Sequence, residues 1–229
     1  MMTLQLIDKS KIYFYLVILL FLLSVHNLNL INSINNFFKV KKIILIGSID
    51  DNLDQEISSS LDKFYNYNIF SLDSDEIKTI LNNFDIISEY KIKKEYPGKI
   101  KIELKETNIL AYFFDENRKT FIGENGKKIK EKKIIKEDLP LIVGQVDVKS
   151  FLKLKKILID YGFKLNDFNT FYYFKSNRWD LFYKNKILVK LPTENLDSSI
   201  NLFKEIIEKK NIKNLKIIDL RIKNSVILS

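Results

Sequence analysis

Few residues of this chain could carry covalent chemistry. It has no cysteine, so disulfides, thiolate nucleophiles and cysteine-ligated zinc are excluded. The one histidine, His26, abuts the most apolar run and reads as an interfacial side chain. That removes Ser-His-Asp catalysis, histidine metal clusters and most general-base schemes from the rest of the chain. Carboxylates are plentiful, 29 Asp plus Glu, yet no pair stands out, and a two-carboxylate hydrolase depends on a separation that sequence spacing does not fix. No G-x-G-x-x-G or G-x-x-x-x-G-K-[ST] stretch is present to cradle a phosphate. No catalytic, cofactor-binding or metal-ligating residue is expected.

The patterned chemistry that remains is recognition. In residues 216–224, Ile218, Leu220 and Ile222 alternate with Ile217, Asp219, Arg221 and Lys223. On a strand the first set can bury against a helix of its own domain, while the charged set stays wet or meets a partner. An edge strand offers unpaired N–H and C=O groups, and charged side chains can fix the register of a strand added to it. The plainer alternative is that this strand completes its own sheet.

The formal net charge of +9 invites a nucleic-acid reading. The lysines are spread, however, and alternate with apolar residues along strand-like segments, as on a solvated sheet face. Only Arg118, Arg178 and Arg221 offer the planar fork suited to phosphate. Neither a nucleic acid nor a small-molecule substrate is expected, although a basic surface near anionic lipid is compatible with this charge.

The elements that position these residues begin with residues 12–25, IYFYLVILLFLLSV, which contain no charge, Gly or Pro and follow Lys9 and Lys11. A span of the ~30 Å hydrocarbon core takes about 20 residues, and the pure run supplies about 14. Extension through His26, Asn27, Leu28, Asn29, Leu30 and Ile31 supplies the rest. Residues 12–31 therefore read as a single transmembrane anchor, with a cytoplasmic tail at 1–11 and the bulk of the chain outside. Lys39, Lys41 and Lys42 pull weakly against that orientation. A cleaved signal peptide would need small residues at its cleavage site, and Ser24-Val25-His26 and Ile31-Asn32-Ser33 fit poorly. A buried core helix would carry a polar stripe, which the run lacks.

Residues 32–38 read as a linker, and 39–47 as a strand closed by Gly47. Leu53, Ile57, Leu61 and Phe64 fall on one face of a helix that Asp50, Asp51 or Asn52 can cap. A second helix starts near Asp73, where Glu76 gives the spacing of a capping box, with Ile77, Ile80, Leu81 and Phe84 as its stripe. Strands at 86–95 and 99–105 flank the turn Tyr96-Pro97-Gly98. Further strands are expected at 110–114 and 119–122, before a Glu124-Asn125-Gly126 turn. Val148, Leu152 and Ile159, with Phe151 and Leu158, form a helix ended by Tyr161-Gly162. Strands follow at 171–174, 179–183 and 186–191, with Trp179 a core residue. A helix bearing Leu196, Ile200, Phe203 and Ile207 then leads to one long strand over 215–228.

This order resembles the bacterial cell-division family FtsQ/DivIB. The likeness rests on 41–47, Asn68-Ile69-Phe70-Ser71-Leu72-Asp73, Tyr96-Pro97-Gly98 with Ile102-Glu103-Leu104-Lys105-Glu106, Leu139-Pro140 through Gly144, Arg178-Trp179-Asp180-Leu181, and Ile218-Asp219-Leu220-Arg221. The chain departs from the family pattern at Ile109, at Ile122-Gly123, and at Ile222, where a Tyr is common. The resemblance implies an α+β chain: an N-terminal single transmembrane helix, a POTRA domain of order β-α-α-β-β over 39–107, and a mostly antiparallel C-terminal β domain with helices over 108–229. It implies a non-enzymatic, inner-membrane scaffold of the division septum that links early and late division proteins. Its partners would be bitopic coiled coils of the FtsB and FtsL kind, with further division proteins met through the POTRA domain. Carried onto this sequence, the partner-binding residues would be Asp219, Leu220, Arg221, Ile222, Lys223, Asn224, Ser225 and Val226. The alternatives are a POTRA-bearing secretion or envelope-assembly factor and a cell-wall hydrolase.

Overall fold

The computed structural model of the chain describes residues 9–24, 28–47, 51–130, 138–209, 215–222 and 225–229. Two N-terminal helices come first, α1 (Lys9–Ser24) and α2 (Leu28–Phe37). Among the described residues, no helix is long and apolar enough to cross a membrane. Of the expected anchor over 12–31, α1 holds the part through Ser24 and α2 the part from Leu28, and residues 25–27 lie outside the described residues. The expected linker at 32–38 is mostly helix, because its Asn-rich residues alternate with apolar ones at helical period and give α2 an amphipathic pattern.

Contacts divide the chain into two compact units, residues 1–83 with 90–104, and residues 84–89 with 105–229. In the first, β1 (Lys42–Ile46), α3 (Asp51–Leu61), α4 (Ser74–Asn82), β2 (Ile87–Glu95) and β3 (Lys99–Glu106) follow the expected β-α-α-β-β order. The sheet order is β1-β3-β2, with β1 parallel to β3. Its core follows the periodicity: Leu53, Ile57, Leu61 and Phe64, then Ile77 and Leu81, then Ile100, Ile102 and Leu104 are all buried, while Ile80 and Phe84, also expected there, are half-buried. Asp50 lies outside the described residues. Asp73 caps α4 as expected, but its carboxylate accepts from Asp75 N at 2.9 Å, and no reciprocal Glu76 contact accompanies it.

The second unit holds a nine-stranded sheet. Its strands are β4 (Ile109–Asp115), β5 (Arg118–Gly123), β6 (Lys128–Ile129), β7 (Leu141–Val143), β8 (Phe168–Tyr173), β9 (Trp179–Tyr183), β10 (Ile187–Lys190), β11 (Ile217–Asp219) and β12 (Ile227–Leu228). They lie in the order β12-β11-β10-β9-β8-β7-β4-β5-β6. Pairing is mostly antiparallel; β4–β7, β7–β8 and β10–β11 are parallel. The β4–β5 hairpin closes on Glu116 and Asn117, both at positive φ (46° and 64°), the geometry of a two-residue turn whose twist matches the strands.

Helices α5 (Val148–Asp160) and α6 (Leu196–Lys209) cover one face of this sheet. From α5 come Phe151, Leu154, Ile157 and Leu158; from α6 come Ile200, Phe203 and Ile206. Of the residues expected on this helix, Phe151 and Leu158 are buried, Val148 and Leu152 pack half-buried against the same cluster, and Ile159 is exposed. Trp179 is buried as expected, with Nε1 donating to Ser150 Oγ at 2.9 Å. Gly144, at φ 117°, passes so close to β8 that a Cβ there would lie 2.1 Å from the Tyr173 carbonyl oxygen.

Candidate partner-binding edge

The last strand is not the single long one that alternation predicts. β11 is three residues long, and the chain then leaves the sheet and returns as β12. The break has a local cause at Asp219. Its carboxylate accepts from the backbone N of Arg221 at 3.1 Å, closing a side-chain turn. The Arg221 guanidinium clamps the same carboxylate from two of its three nitrogens, Nε to Oδ1 at 2.8 Å and Nη2 to Oδ2 at 2.6 Å. Those hydrogen bonds hold the Asp219 carboxyl below its usual range, against the opposing effect of burial.

β11 is walled in on both flanks. It pairs with β10 in parallel, Lys190 facing Asp219, and with β12 antiparallel, Ile218 facing Leu228 and Asp219 facing Ile227. The free rim at this end of the sheet is β12. Ile217 N donates to Ser229 O at 2.9 Å, and Ser229 N donates to Ile217 O at 3.1 Å. Hydrogen-bonding direction alternates along an antiparallel strand. The N–H and C=O of Leu228, one residue before Ser229, therefore point away from β11 and are available to another strand.

The residues expected to bind a partner fall in distinct settings. Leu220 is buried in the core cluster, and Val226 packs against that cluster half-buried. Asp219, expected on a wet face, is buried. Arg221, Ile222 and Ser225 are exposed, and Ile222, expected to bury beside Ile218 and Leu220, instead projects outward beyond the end of the strand. Lys223 and Asn224 lie outside the described residues. Leu220, Arg221, Ile222 and Ser225 line a cleft of about 590 Å³ whose other wall includes Glu194, Asn195 and Ser198 before and within the first turn of α6. Sequence reasoning missed the β12 rim and this α6 wall. The short, polar run Lys223-Asn224-Ser225 is the sequence signal that could have separated β12 from β11.

A charged row crosses the sheet beside this edge, on the face opposite α5 and α6. Asp180 pairs with Lys190, and Lys190 pairs with Asp219. Asp180 is buried, and its carboxyl is raised by that burial, with Arg178, Lys190 and Arg221 opposing. Arg178 Nε lies 3.3 Å from Asp180 Oδ1, within ion-pair distance, but the alignment makes no hydrogen bond and both atoms are otherwise unsatisfied.

Residues 38–107 match the family model described as POTRA domain, FtsQ-type, and residues 111–221 match that of Cell division protein FtsQ/DivIB, C-terminal. The chain belongs to the FtsQ/DivIB family. The FtsQ/DivIB C-terminal match runs from within β4 through β11 to Arg221, and β12 lies beyond it. Relatives include cell division protein FtsQ of Rickettsia bellii, 28% identical over 190 residues, which are 82% of this chain and 70% of that one. Cell division protein DivIB of Clostridium botulinum is 29% identical over 199 residues, 79% of this chain and 76% of the relative. FtsQ of Rhizobium radiobacter is 27% identical over 157 residues, 67% and 75% of the two chains. The major extracytoplasmic domain of DivIB from Geobacillus stearothermophilus, aligned over 48% of this chain and 99% of that one, is 17% identical with a TM-score of 0.33, too slight a likeness to bear on the fold.

Proposed function

We propose that this chain is a non-enzymatic, inner-membrane scaffold of the bacterial division septum that receives a strand from a partner at the β12 rim. In this proposal the chain divides into a tail at 1–11, an anchor at 12–31, a mostly helical connection at 32–38, a POTRA domain at 39–107 and a C-terminal domain at 108–229. The tail is cytoplasmic and the rest beyond the anchor is periplasmic. The observation that carries the reading is the outward-facing N–H and C=O of Leu228 on a two-residue edge strand. A partner backbone added there would meet the exposed Ile227 side chain, and the exposed Arg221 at the end of the neighbouring strand can help set its register. The exposed Arg221 and Ile222 stand beside the rim and complete the contact with the expected residues Asp219 to Val226. The partner is a bitopic coiled-coil protein of the FtsB kind, bound together with an FtsL-like chain, and the POTRA domain meets further division proteins.

The test is co-purification of the full chain with a co-expressed FtsB-like protein from the same cell. Leu228→Pro removes the outward N–H while sparing the Ile217–Ser229 bonds, and is expected to abolish association without unfolding the domain. Arg221→Glu reverses the charge beside the rim and is expected to weaken it. Undiminished binding by both variants would reject this edge as the contact.

A further inference from the structure

The first unit carries an exposed aromatic patch that strand addition at β12 does not use. Ile34, Phe37, Tyr67, Phe70 and Tyr96 are each more than half exposed. Four rings form a continuous run: Phe37 to Phe38 at 5.2 Å between centroids, Phe38 to Phe70 at 4.9 Å, and Phe70 stacked on Tyr96 at 4.7 Å. The ammonium of Lys41 lies 5.8 Å from the Phe37 ring, and Lys42 beside it is also exposed.

Three separate stretches of backbone are pinned together beneath these rings. Val40 N donates to Tyr67 O at 2.8 Å, Ile69 N to Phe38 O at 2.9 Å, and Lys41 N to Gly98 O at 2.8 Å. The patch is therefore a built surface rather than a set of chance exposures. Large rings gathered on the outside of a domain mark an interaction site. Rings rimmed by lysine are the composition of a surface resting at a membrane–water boundary.

Chain continuity identifies what covers the patch. The apolar helix α1 ends at Ser24, α2 begins at Leu28, and α2 ends on Phe37, the first ring of the run. An α-helix rises 1.5 Å per residue, so α2 is only about 15 Å long. With the proposed anchor ending at Ile31, Phe37 follows six residues on, about 9 Å of helix rise, which would bring Phe37 and the rings behind it to the level of the headgroups.

We propose that Ile34, Phe37, Phe70 and Tyr96, with Lys41 and Lys42 at the rim, dock the first unit onto the surface of a bilayer containing anionic lipid. The rings enter the headgroup boundary, and the two ammonium groups meet lipid phosphate. This rests on the anchored reading above, and the experiment separates the two.

Because the chain has no cysteine, single substitutions carry a probe without further changes. Phe70→Cys and Ile46→Cys are each labelled with an environment-sensitive fluorophore in the full chain, reconstituted into vesicles of phosphatidylcholine and phosphatidylglycerol. Ile46 is exposed and sits at the opposite end of β1 from Lys42, so it serves as the reference. The expected result is blue-shifted emission at position 70, quenched several-fold more strongly by lipid-borne quenchers than at position 46. Lys41→Glu with Lys42→Glu, or omission of phosphatidylglycerol, is expected to reduce that difference.

Equal quenching of both positions by aqueous iodide, in a chain that resists alkaline extraction, overturns the docking surface and leaves the anchor standing. Alkaline release of the chain overturns the anchor and the docking with it. A blue shift at position 70 that grows with protein-to-lipid ratio and ignores lipid-borne quenchers assigns the patch to a second copy, and also overturns the proposal.

Discussion

The two faces of the nine-stranded sheet are built from neighbouring residues of the same strands, and they obey different physics. On the face covered by α5 and α6, Ile142, Phe171, Leu181, Val189 and Ile218 follow one another across the strands, all buried. One residue along, the opposite face reads Val143, Tyr172, Asp180, Lys190 and Asp219 in the same registers. The first row gains from removing apolar area from water and tolerates no gap. The second holds two buried carboxylates with opposite outcomes. Asp219 is gripped by two guanidinium nitrogens, whereas Asp180 is buried beside a misaligned one. Burial alone does not decide whether a charge helps a fold; donor alignment does.

The contrast sharpens or breaks with three substitutions. The largest effect is expected at Leu181→Ala, which opens a hole between Phe171 and Val189 and should lower the unfolding free energy by about 2–5 kcal/mol in urea titration. A loss no larger than that of a surface change would mean the covered face is not packed as described. Asp219→Asn comes next. Its folded carboxyl is held low by Arg221, so the charge stabilises the fold fully above the ordinary carboxylate value of about 3.9. That contribution fades as pH falls through the lowered folded value. The variant should therefore melt below wild type at neutral pH, and the gap should close on acidification into that window. A gap independent of pH would show that the Arg221 clamp contributes no charge-dependent stability. The smallest effect is expected at Asp180→Asn, with the opposite sign. Its folded carboxyl is raised by burial, so ionisation is penalised above the raised value, and that penalty vanishes below the ordinary one. The variant should melt at or slightly above wild type at neutral pH and lose the advantage in acid. A clear drop at neutral pH would show that the Arg178 contact outweighs burial.

Much of the fold was legible because single-faced elements write their burial into the sequence. The stripe Leu53, Ile57, Leu61 and Phe64, and the alternation Ile100, Ile102 and Leu104, each admit one buried face, and the structure buries it. Where an element has two apolar stripes, the sequence does not choose between them. In α5, Ile159 reads as apolar as Phe151 and Leu158 do, and packing on the sheet buries Phe151, Leu154 and Leu158 while leaving Ile159 exposed. The single strand expected over 215–228 is divided for a different reason. Residues 217–228 alternate well enough to pass for one strand, and what divides them is a side-chain event, the Asp219 carboxylate taking the Arg221 backbone N–H. A period-two pattern cannot report that. The short, polar Lys223-Asn224-Ser225 sequence carries the only local hint of a turn. The free rim is consequently displaced from the residues read as the contact to Leu228 and its neighbours.

Both outer strands of the large sheet, β6 and β12, are two residues long. Long flat margins invite indiscriminate stacking of one molecule on the next, and brevity is among the ways natural sheets suppress it. So small a template also offers a visitor few main-chain bonds, too few to retain a stranger by backbone alone. Fidelity in any strand addition there must then come from what the visitor carries beyond its strand, which favours a matched companion over the seeding of fibres.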